Sequence, residues 1–274
     1  MTNLSANMTQ EDLNILTLSK SKMEDVGIIM KGLNFVGGSI EGIIKKIPAK
    51  QQAWLVKTIN KVLMTVIKAN LKTMSKGKAN ATPLKKTYKA MVTASGIGFG
   101  FFGELGFAAD LGIFTNLLMR SVLDIARSND EDINAIETQL ACLEVFALGG
   151  NTKDDDGLET SYYATRLALS AAVKEASAYI AANGTTKIVE NVLISSNPIA
   201  KLVSSIASRY GVQVTEKFAA ELVPVAGAVG GGAINLIFMN HFQNMATAHF
   251  AIRSLERKYG EELVREKYNE TVVN

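Results

Sequence analysis

The stretch GIGFGFFGELGFAADLG, residues 96–112, carries six glycines among mostly aliphatic and aromatic side chains. A second stretch, VPVAGAVGGGAIN at residues 223–235, has a similar composition. Small residues three or four positions apart let two helix backbones approach closely. The two stretches therefore predict a glycine-rich apolar helix pair at the centre of the protein. The small residues with this spacing are Gly96, Gly100 and Gly103 in the first stretch and Gly227, Ala228 and Gly231 in the second.

Three arrangements are compatible with such a pair. It could be buried in the core, form a hairpin that enters a bilayer only part-way, or contain a membrane-spanning helix. Residues 222–239 supply 18 uncharged positions, which is close to the length that a span needs. The same residues contain four glycines and a proline, and residues 90–103 are too few for a span. We therefore expect the buried pair, with the other two arrangements left open.

The rest of the chain shows helical patterns. Alternating strand patterns are nearly absent, and the four prolines fall where helices could begin or end. Asn183-Gly184 and Tyr210-Gly211 are expected helix ends, and a long apolar region runs from Tyr88 to Arg127. The fold class that follows is all-α, a multi-helix bundle of about nine helices. We expect residues 1–22 to be flexible and residues 23–268 to form a single helical domain.

Residues 50–78 contain seven lysines and no carboxylate. At about 100° per residue, five of these lysines fall within roughly 60° of one another on a helix, and the aliphatic residues cluster on the opposite side. Trp54 projects beside the lysines. This pattern predicts an amphipathic helix with a cationic face that binds a membrane surface. Its residues are Lys50, Trp54, Lys57, Lys61, Lys68 and Lys72.

The charge of the chain is unevenly distributed. Residues 1–89 have a net charge of +10 and residues 90–274 a net charge of −7. Such a bias indicates an anionic partner. No arginine precedes Arg120, and nucleic-acid readers favour arginine for its bidentate geometry. An anionic membrane surface is therefore the expected partner, and no nucleic acid is expected.

Two carboxylates, Glu104 and Asp110, stand alone within residues 90–119. A buried carboxylate needs a partner, because its desolvation costs several kcal/mol. Arg120 lies within about 80° of Asp110 on one helix, and an ion pair between neighbouring helices is the simplest interpretation. The alternative interpretation is that one of these carboxylates is a functional acid.

Familiar catalytic and metal-binding motifs are missing. GFGFFG at residues 98–103 matches G-x-G-x-x-G but lacks the strand that a dinucleotide site requires. His241 and His249 are eight residues apart and do not form an i, i+4 metal pair. Either histidine could meet Asp110 across a helix interface, which would make a hydrolytic site conceivable. We expect neither a metal nor a cofactor.

Several blocks together resemble the EcsC family of bacterial proteins. They are IIKKIP (43–48), FAADLGIFTNLLMRSVLDIA (107–126), ACLEVFALGG (141–150), SYYATRLAL (161–169), VPVAGAVGGGAIN (223–235) and FQNMATAHFAIRSLERKYGEELV (242–264). The resemblance implies a helical fold and an association with an ABC-type transporter, and it implies no reaction. The polar positions that match the family pattern are Asp110, Arg120, Arg166, Asn235, His249 and Arg253. The expected polar cluster consists of Glu104, Asp110, Arg120, Arg166, Asn235 and Arg253.

These observations support two hypotheses. The first is a non-enzymatic helical protein at the cytoplasmic face of the membrane, with an accessory role beside an ABC-type transporter as a further expectation. A single cysteine, Cys142, and an N-terminus without a secretory pattern favour the cytoplasm. The second hypothesis is a hydrolase that acts on lipid or peptide through Asp110 with His241 or His249.

Overall fold

α-Helices and one 3-10 turn form all of the regular structure that the computed structural model describes, in residues 8–24, 40–73, 82–99, 103–149, 162–191, 197–222 and 228–273. This part of the chain contains no strand, which confirms the predicted all-α class. The helices are α1 (Gln10–Glu24), α2 (Ile40–Ile44), α3 (Ala49–Thr73), α4 (Lys85–Phe99), α5 (Gly103–Ser128), α6 (Ile136–Glu144), α7 (Tyr162–Asn191), α8 (Pro198–Glu221), α9 (Ala228–Tyr259) and α10 (Glu261–Glu270), with the 3-10 turn at Val145–Ala147.

The predicted glycine-rich pair is formed by α4 and α9, which pack antiparallel. A Cβ on Gly96 would lie 2.3 Å from the carbonyl oxygen of Gly231, and one on Gly232 would lie 2.9 Å from that of Thr93. One turn further along, the Asn235 amide donates a hydrogen bond of 2.8 Å to the carbonyl of Val92. The two backbones therefore touch without intervening side chains. Of the other predicted positions, Gly100 and Gly227 lie outside the described residues, and Gly103 begins α5 with open space around it.

The helix ends expected at two glycines are wrong. α7 continues past Asn183-Gly184 to Asn191, and α8 continues past Tyr210-Gly211 to Glu221. At the second position, the buried Tyr210 hydroxyl forms a hydrogen bond of 3.0 Å with Thr115, and Gly211 faces Ile59 of α3. Packing against neighbouring helices outweighs the cost of about 1 kcal/mol for glycine inside a helix. The long apolar region from Tyr88 to Arg127 is divided between α4 and α5.

The amphipathic helix predicted over the lysine-rich segment is α3. Its aliphatic face is buried, with Leu55, Ile59 and Leu63 each no more than 2% exposed. These side chains join one hydrophobic core cluster, which includes residues from Met8 to Tyr268. Among the described helices, none has both the length and the apolar composition required to cross a bilayer.

The amino-terminal segment is ordered where the structure describes it. We expected residues 1–22 to be flexible, but α1 packs against α9 and α10 and buries Leu16 completely. Thr9 caps α1 by accepting the Asp12 amide hydrogen at 3.2 Å. The Lys20 ammonium donates to the carbonyl oxygens of Tyr268 and Thr271, both at 2.8 Å. These long-range contacts were not visible as a local pattern. The extent of a single domain over residues 23–268 stays a prediction.

Candidate functional site

A buried group of charges lies where α4, α5, α8 and α9 meet. The Lys217 ammonium on α8 is 2.7 Å from the Asp110 carboxylate on α5 and 2.5 Å from that of Glu221. Asp110 also accepts hydrogen bonds from the Ser95 hydroxyl and from the Asn235 amide, the latter at 2.9 Å. Asp110 and Lys217 are 2% and 1% exposed. The partner of Asp110 is therefore Lys217 on a neighbouring helix, whereas the Arg120 side chain is exposed.

The surroundings of Lys217 keep its side chain protonated. Burial lowers the pKa of Lys217, but the carboxylates of Glu221 and Asp110 outweigh it and hold the pKa above its usual value. Burial raises the pKa of Glu221, and Lys217 opposes that shift. The Lys217 side chain also lies over the Phe107 ring, with its nitrogen 5.0 Å from the ring centroid. A charged lysine hydrogen-bonded to two carboxylates in this way holds helices together and does not act as a base.

Glu216, next to Lys217 on α8, leads to a pH prediction. Burial raises the pKa of Glu216 to about 7 from the usual 4.5. The unfolded chain therefore ionises first as the pH rises, so folding loses stability between about pH 4.5 and 7 and stays lower above that range. The Glu216→Gln variant should be as stable as the unaltered protein at pH 4. Above pH 7 its free energy of unfolding should be higher by about 2 to 3 kcal/mol. Urea unfolding of both proteins at pH 4 and pH 8 measures this difference. An equal difference at both pH values would contradict the shift.

A second polar cluster connects α7 with α9. The Arg166 guanidinium is 2.6 Å from the Glu256 carboxylate and donates to the Tyr162 hydroxyl at 3.1 Å. That hydroxyl lies 3.0 Å from Nδ1 of the fully buried His249. The Tyr162 hydroxyl therefore links Arg166 to His249. Burial, together with Arg166 and Arg253, lowers the pKa of His249 well below its usual value, so the ring is neutral.

This second cluster borders an open cleft of about 750 Å³ between α6, α7 and the junction of α9 with α10. Glu144, Arg166 and Arg253 all line it. The Glu144 carboxylate is 4.0 Å from Nε2 of His249, and burial raises the pKa of Glu144 against the opposing effect of both arginines. Arg253 is held by the Glu131 carboxylate at 2.9 Å. The cleft has the size of a small-molecule site, with polar groups at one end.

The expected polar cluster is thus divided between different places. Asp110 and Asn235 belong to the Lys217 group, whereas Arg166 and Arg253 border the cleft. Glu104 is exposed and accepts a hydrogen bond of 3.0 Å from Gln51 on α3. Sequence reasoning missed Lys217, Glu144 and Tyr162. The signal available for Lys217 was its i, i+4 spacing from Glu221 near an apolar stretch, and for Glu144 it was the lone carboxylate within ACLEVFALGG.

The histidines do not meet Asp110. His249 lies fourteen residues along α9 from Asn235, the contact of Asp110, which is roughly 21 Å of helix. His241 lies six residues along, roughly 9 Å, and packs beside Gly149, where a Cβ would be 2.7 Å from its ring. In the described part of the chain, no hydrogen bond joins Asp110 to either ring. The same part contains no group of three or more His, Cys, Asp or Glu side chains placed to hold a metal ion.

The lysine face of α3, defined as Lys50, Lys57 and Lys61, is exposed along its described length. Within the described residues, no carboxylate forms an ion pair with these lysines. The side chains of Lys68 and Lys72 lie outside the described part. Trp54 does not project with the lysines as predicted. It is half-buried and packs on Phe107 and Phe218, with ring centroids 6.2 and 5.9 Å apart.

Comparison with known proteins agrees with the resemblance seen in the sequence. No curated protein and no solved structure matches the chain. The model of the EcsC protein family matches residues 34–255. This span covers most of the chain and includes the glycine-rich pair, the buried charge group and most of the second polar cluster. The chain therefore belongs to the EcsC protein family.

Proposed function

We propose that this chain is a non-enzymatic protein that attaches reversibly to an anionic membrane surface through the lysine face of α3. The observation that carries the proposal is that Lys50, Lys57 and Lys61 are exposed and, in the described part of the chain, pair with no carboxylate. Carboxylates within the acidic residues 90–274 instead pair with other partners, as Glu221 does with Lys217 and Glu131 with Arg253. The opposite side of α3 is anchored in the core, so the face is held rigidly.

The expected strength of attachment is modest. A lysine near an anionic surface contributes about 1 kcal/mol, and salt screens this attraction over about 8 to 10 Å. Lys45 and Lys46, in the turn before α3, are also exposed and add to the same positive region. A few kcal/mol in total supports reversible attachment and no permanent anchoring.

Neutralising the lysine face should release the protein from anionic vesicles. The triple variant Lys50→Gln, Lys57→Gln and Lys61→Gln should bind at least about tenfold more weakly in cosedimentation, because each lysine contributes about 1 kcal/mol. The control is Lys22→Gln, Lys86→Gln and Lys201→Gln, which removes the same charge from three exposed positions elsewhere. An equal loss of vesicle binding in both triple variants would show that net charge alone attracts the vesicles. Unchanged binding of the lysine-face variant would refute the proposal.

Exposed apolar side chains at one end of the bundle support membrane contact on the side where α3 begins. Leu105 is 85% exposed at the start of α5, Ile97 is 46% exposed near the end of α4, and Leu222 is 46% exposed just after α8. The hydrogen bond from Gln51 to Glu104 places the start of α3 beside the start of α5, where Leu105 lies. Exposed apolar side chains beside lysines are the composition with which proteins enter the headgroup region.

Removing the most exposed of these side chains should weaken attachment further. Leu105→Ser is expected to reduce vesicle affinity about tenfold at high salt, where lysines contribute least, because a leucine gains about 1.5 to 3 kcal/mol on burial. Leu18→Ser is the matched control, since Leu18 is 64% exposed on α1. Vesicle flotation at two salt concentrations compares the two variants. Indistinguishable binding would remove the apolar end from the contact surface.

Two further parts of the hypothesis remain proposals. A location at the inner face of the cell membrane and an accessory role beside an ABC-type transporter rest on the family resemblance. Copurification of transporter subunits with the tagged protein from detergent-solubilised membranes tests the second, and their absence would count against it. No contact in the described part of the chain favours the hydrolase alternative, because the Asp110 carboxylate is occupied by Lys217, Ser95 and Asn235.

A further inference from the structure

The cleft beside α7 has the form of a trough. Its lining residues on α7 extend from Tyr163 to Ala181, which corresponds to roughly 27 Å of helix. Away from the arginines its walls are largely apolar, with Val173 and Ala178 on α7 and Leu140 on α6. An elongated cavity with such walls fits an extended apolar chain better than a compact polar molecule.

The polar end of the trough retains unused hydrogen-bond donors. In the described part of the chain, the Arg166 side chain donates through Nη1 alone. That of Arg253 donates through Nε and Nη2. Nε and Nη2 of Arg166 and Nη1 of Arg253 therefore remain for a ligand. Their neutralising carboxylates, Glu256 and Glu131, do not line the cleft.

The other charges in the lining nearly balance. The lining also contains three carboxylates, of Glu137, Glu144 and Glu261, and two cations, of Lys174 and Arg265. Glu144 has no hydrogen-bond partner in the described part of the chain, and burial raises its pKa, which reduces its repulsion of an anion. Nε2 of His249 is also buried without a hydrogen-bond partner there.

We propose that this cleft binds a single-chain anionic amphiphile, with its head group on Arg166 and Arg253 and its chain along α7. A fatty acid and a lysophospholipid with an exposed phosphate share this chemistry. Guanidinium groups recognise both carboxylate and phosphate through paired hydrogen bonds. The inference does not depend on the lysine face of α3, because the cleft uses different residues on different helices.

Calorimetric titration of the full chain with laurate, lauroyl lysophosphatidic acid, dodecanol and acetate tests the proposal. At least one of the two anionic amphiphiles should bind, and the tighter of them identifies the source of the ligand. Dodecanol should bind at least about tenfold more weakly and acetate should show no binding, because each lacks one half of the recognised group. Equal binding of laurate, lysophosphatidic acid and dodecanol, or no binding by either anion, would overturn it.

Two matched variants locate the bound chain. Ala178 and Ala171 are both exposed on α7, but only Ala178 lines the trough. Ala178→Trp should weaken binding of the anionic amphiphile at least about tenfold by filling the trough, whereas Ala171→Trp should change it less than about twofold. Thermal unfolding of both variants checks that they remain folded. Equal affinities would place the ligand elsewhere and overturn the proposal.

Discussion

Lys217→Met is expected to lower the free energy of unfolding by about 3 to 5 kcal/mol, because it leaves two carboxylates in the interior without their cation. Asp110 is 2% exposed, and the Glu221 side chain is 12% exposed. Neither can regain hydration without movement of α5 or α8. Urea unfolding followed by circular dichroism at pH 7 measures the loss.

A surface lysine on the same helix provides the control. Lys201 pairs with Glu175 at 3.5 Å, and both side chains are more than half exposed. Lys201→Met should therefore change the free energy of unfolding by less than about 1 kcal/mol. Adding Asp110→Asn to Lys217→Met should restore part of the lost stability, since one of the orphaned charges is removed. A small loss in Lys217→Met alone would show that the charge group does not hold α5 to α8.

Gly96→Ala is expected to destabilise the protein by about 3 kcal/mol or more, although alanine is the better helix former. A Cβ at this position would lie 2.3 Å from the carbonyl oxygen of Gly231 and 2.7 Å from the Asn235 amide. Backbone atoms cannot rotate away, so α4 and α9 must separate. The same separation would break the hydrogen bonds from Asn235 to Val92 and Asp110. Thermal unfolding reports the change.

Gly98→Ala is the matched control on the same helix. No atom lies within 4 Å of the position where its Cβ would be, so alanine should stabilise the helix by up to about 1 kcal/mol. The two substitutions are chemically identical and differ in their surroundings. If they change stability in the same direction, the close approach of α4 and α9 is wrong.

The sequence was sufficient to predict the elements whose signals are local or repeated. The glycine spacing predicted that the two glycine-rich stretches pack closely, as they do at Gly96 and Gly231. The 3.6-residue period predicted which face of α3 is buried. It was not sufficient where contacts decide between local alternatives. α8 continues through Gly211 because Tyr210 and Ile59 pack there, and no local pattern contains that contact.

The site was less predictable than the fold. The family resemblance selected Arg166, His249 and Arg253. In the structure the two arginines line the cleft, and the buried His249 is linked to Arg166 through the Tyr162 hydroxyl. It also selected Asp110, whose partner Lys217 lies more than one hundred residues further along the chain. An ion pair between distant segments leaves no periodic signal. The sequence therefore led us to expect an ion pair between neighbouring helices at Asp110 but did not identify Lys217 as its partner.

Cosedimentation of the unaltered protein with vesicles of increasing anionic lipid content tests the membrane proposal most directly. The bound fraction should rise with the anionic content and be negligible with purely zwitterionic vesicles. It should fall steeply as salt is raised from about 0.1 M to about 1 M, where the screening length shortens from about 10 Å to about 3 Å. Equal binding to zwitterionic and anionic vesicles, or no binding to either, would contradict the attachment of this protein through its lysine face.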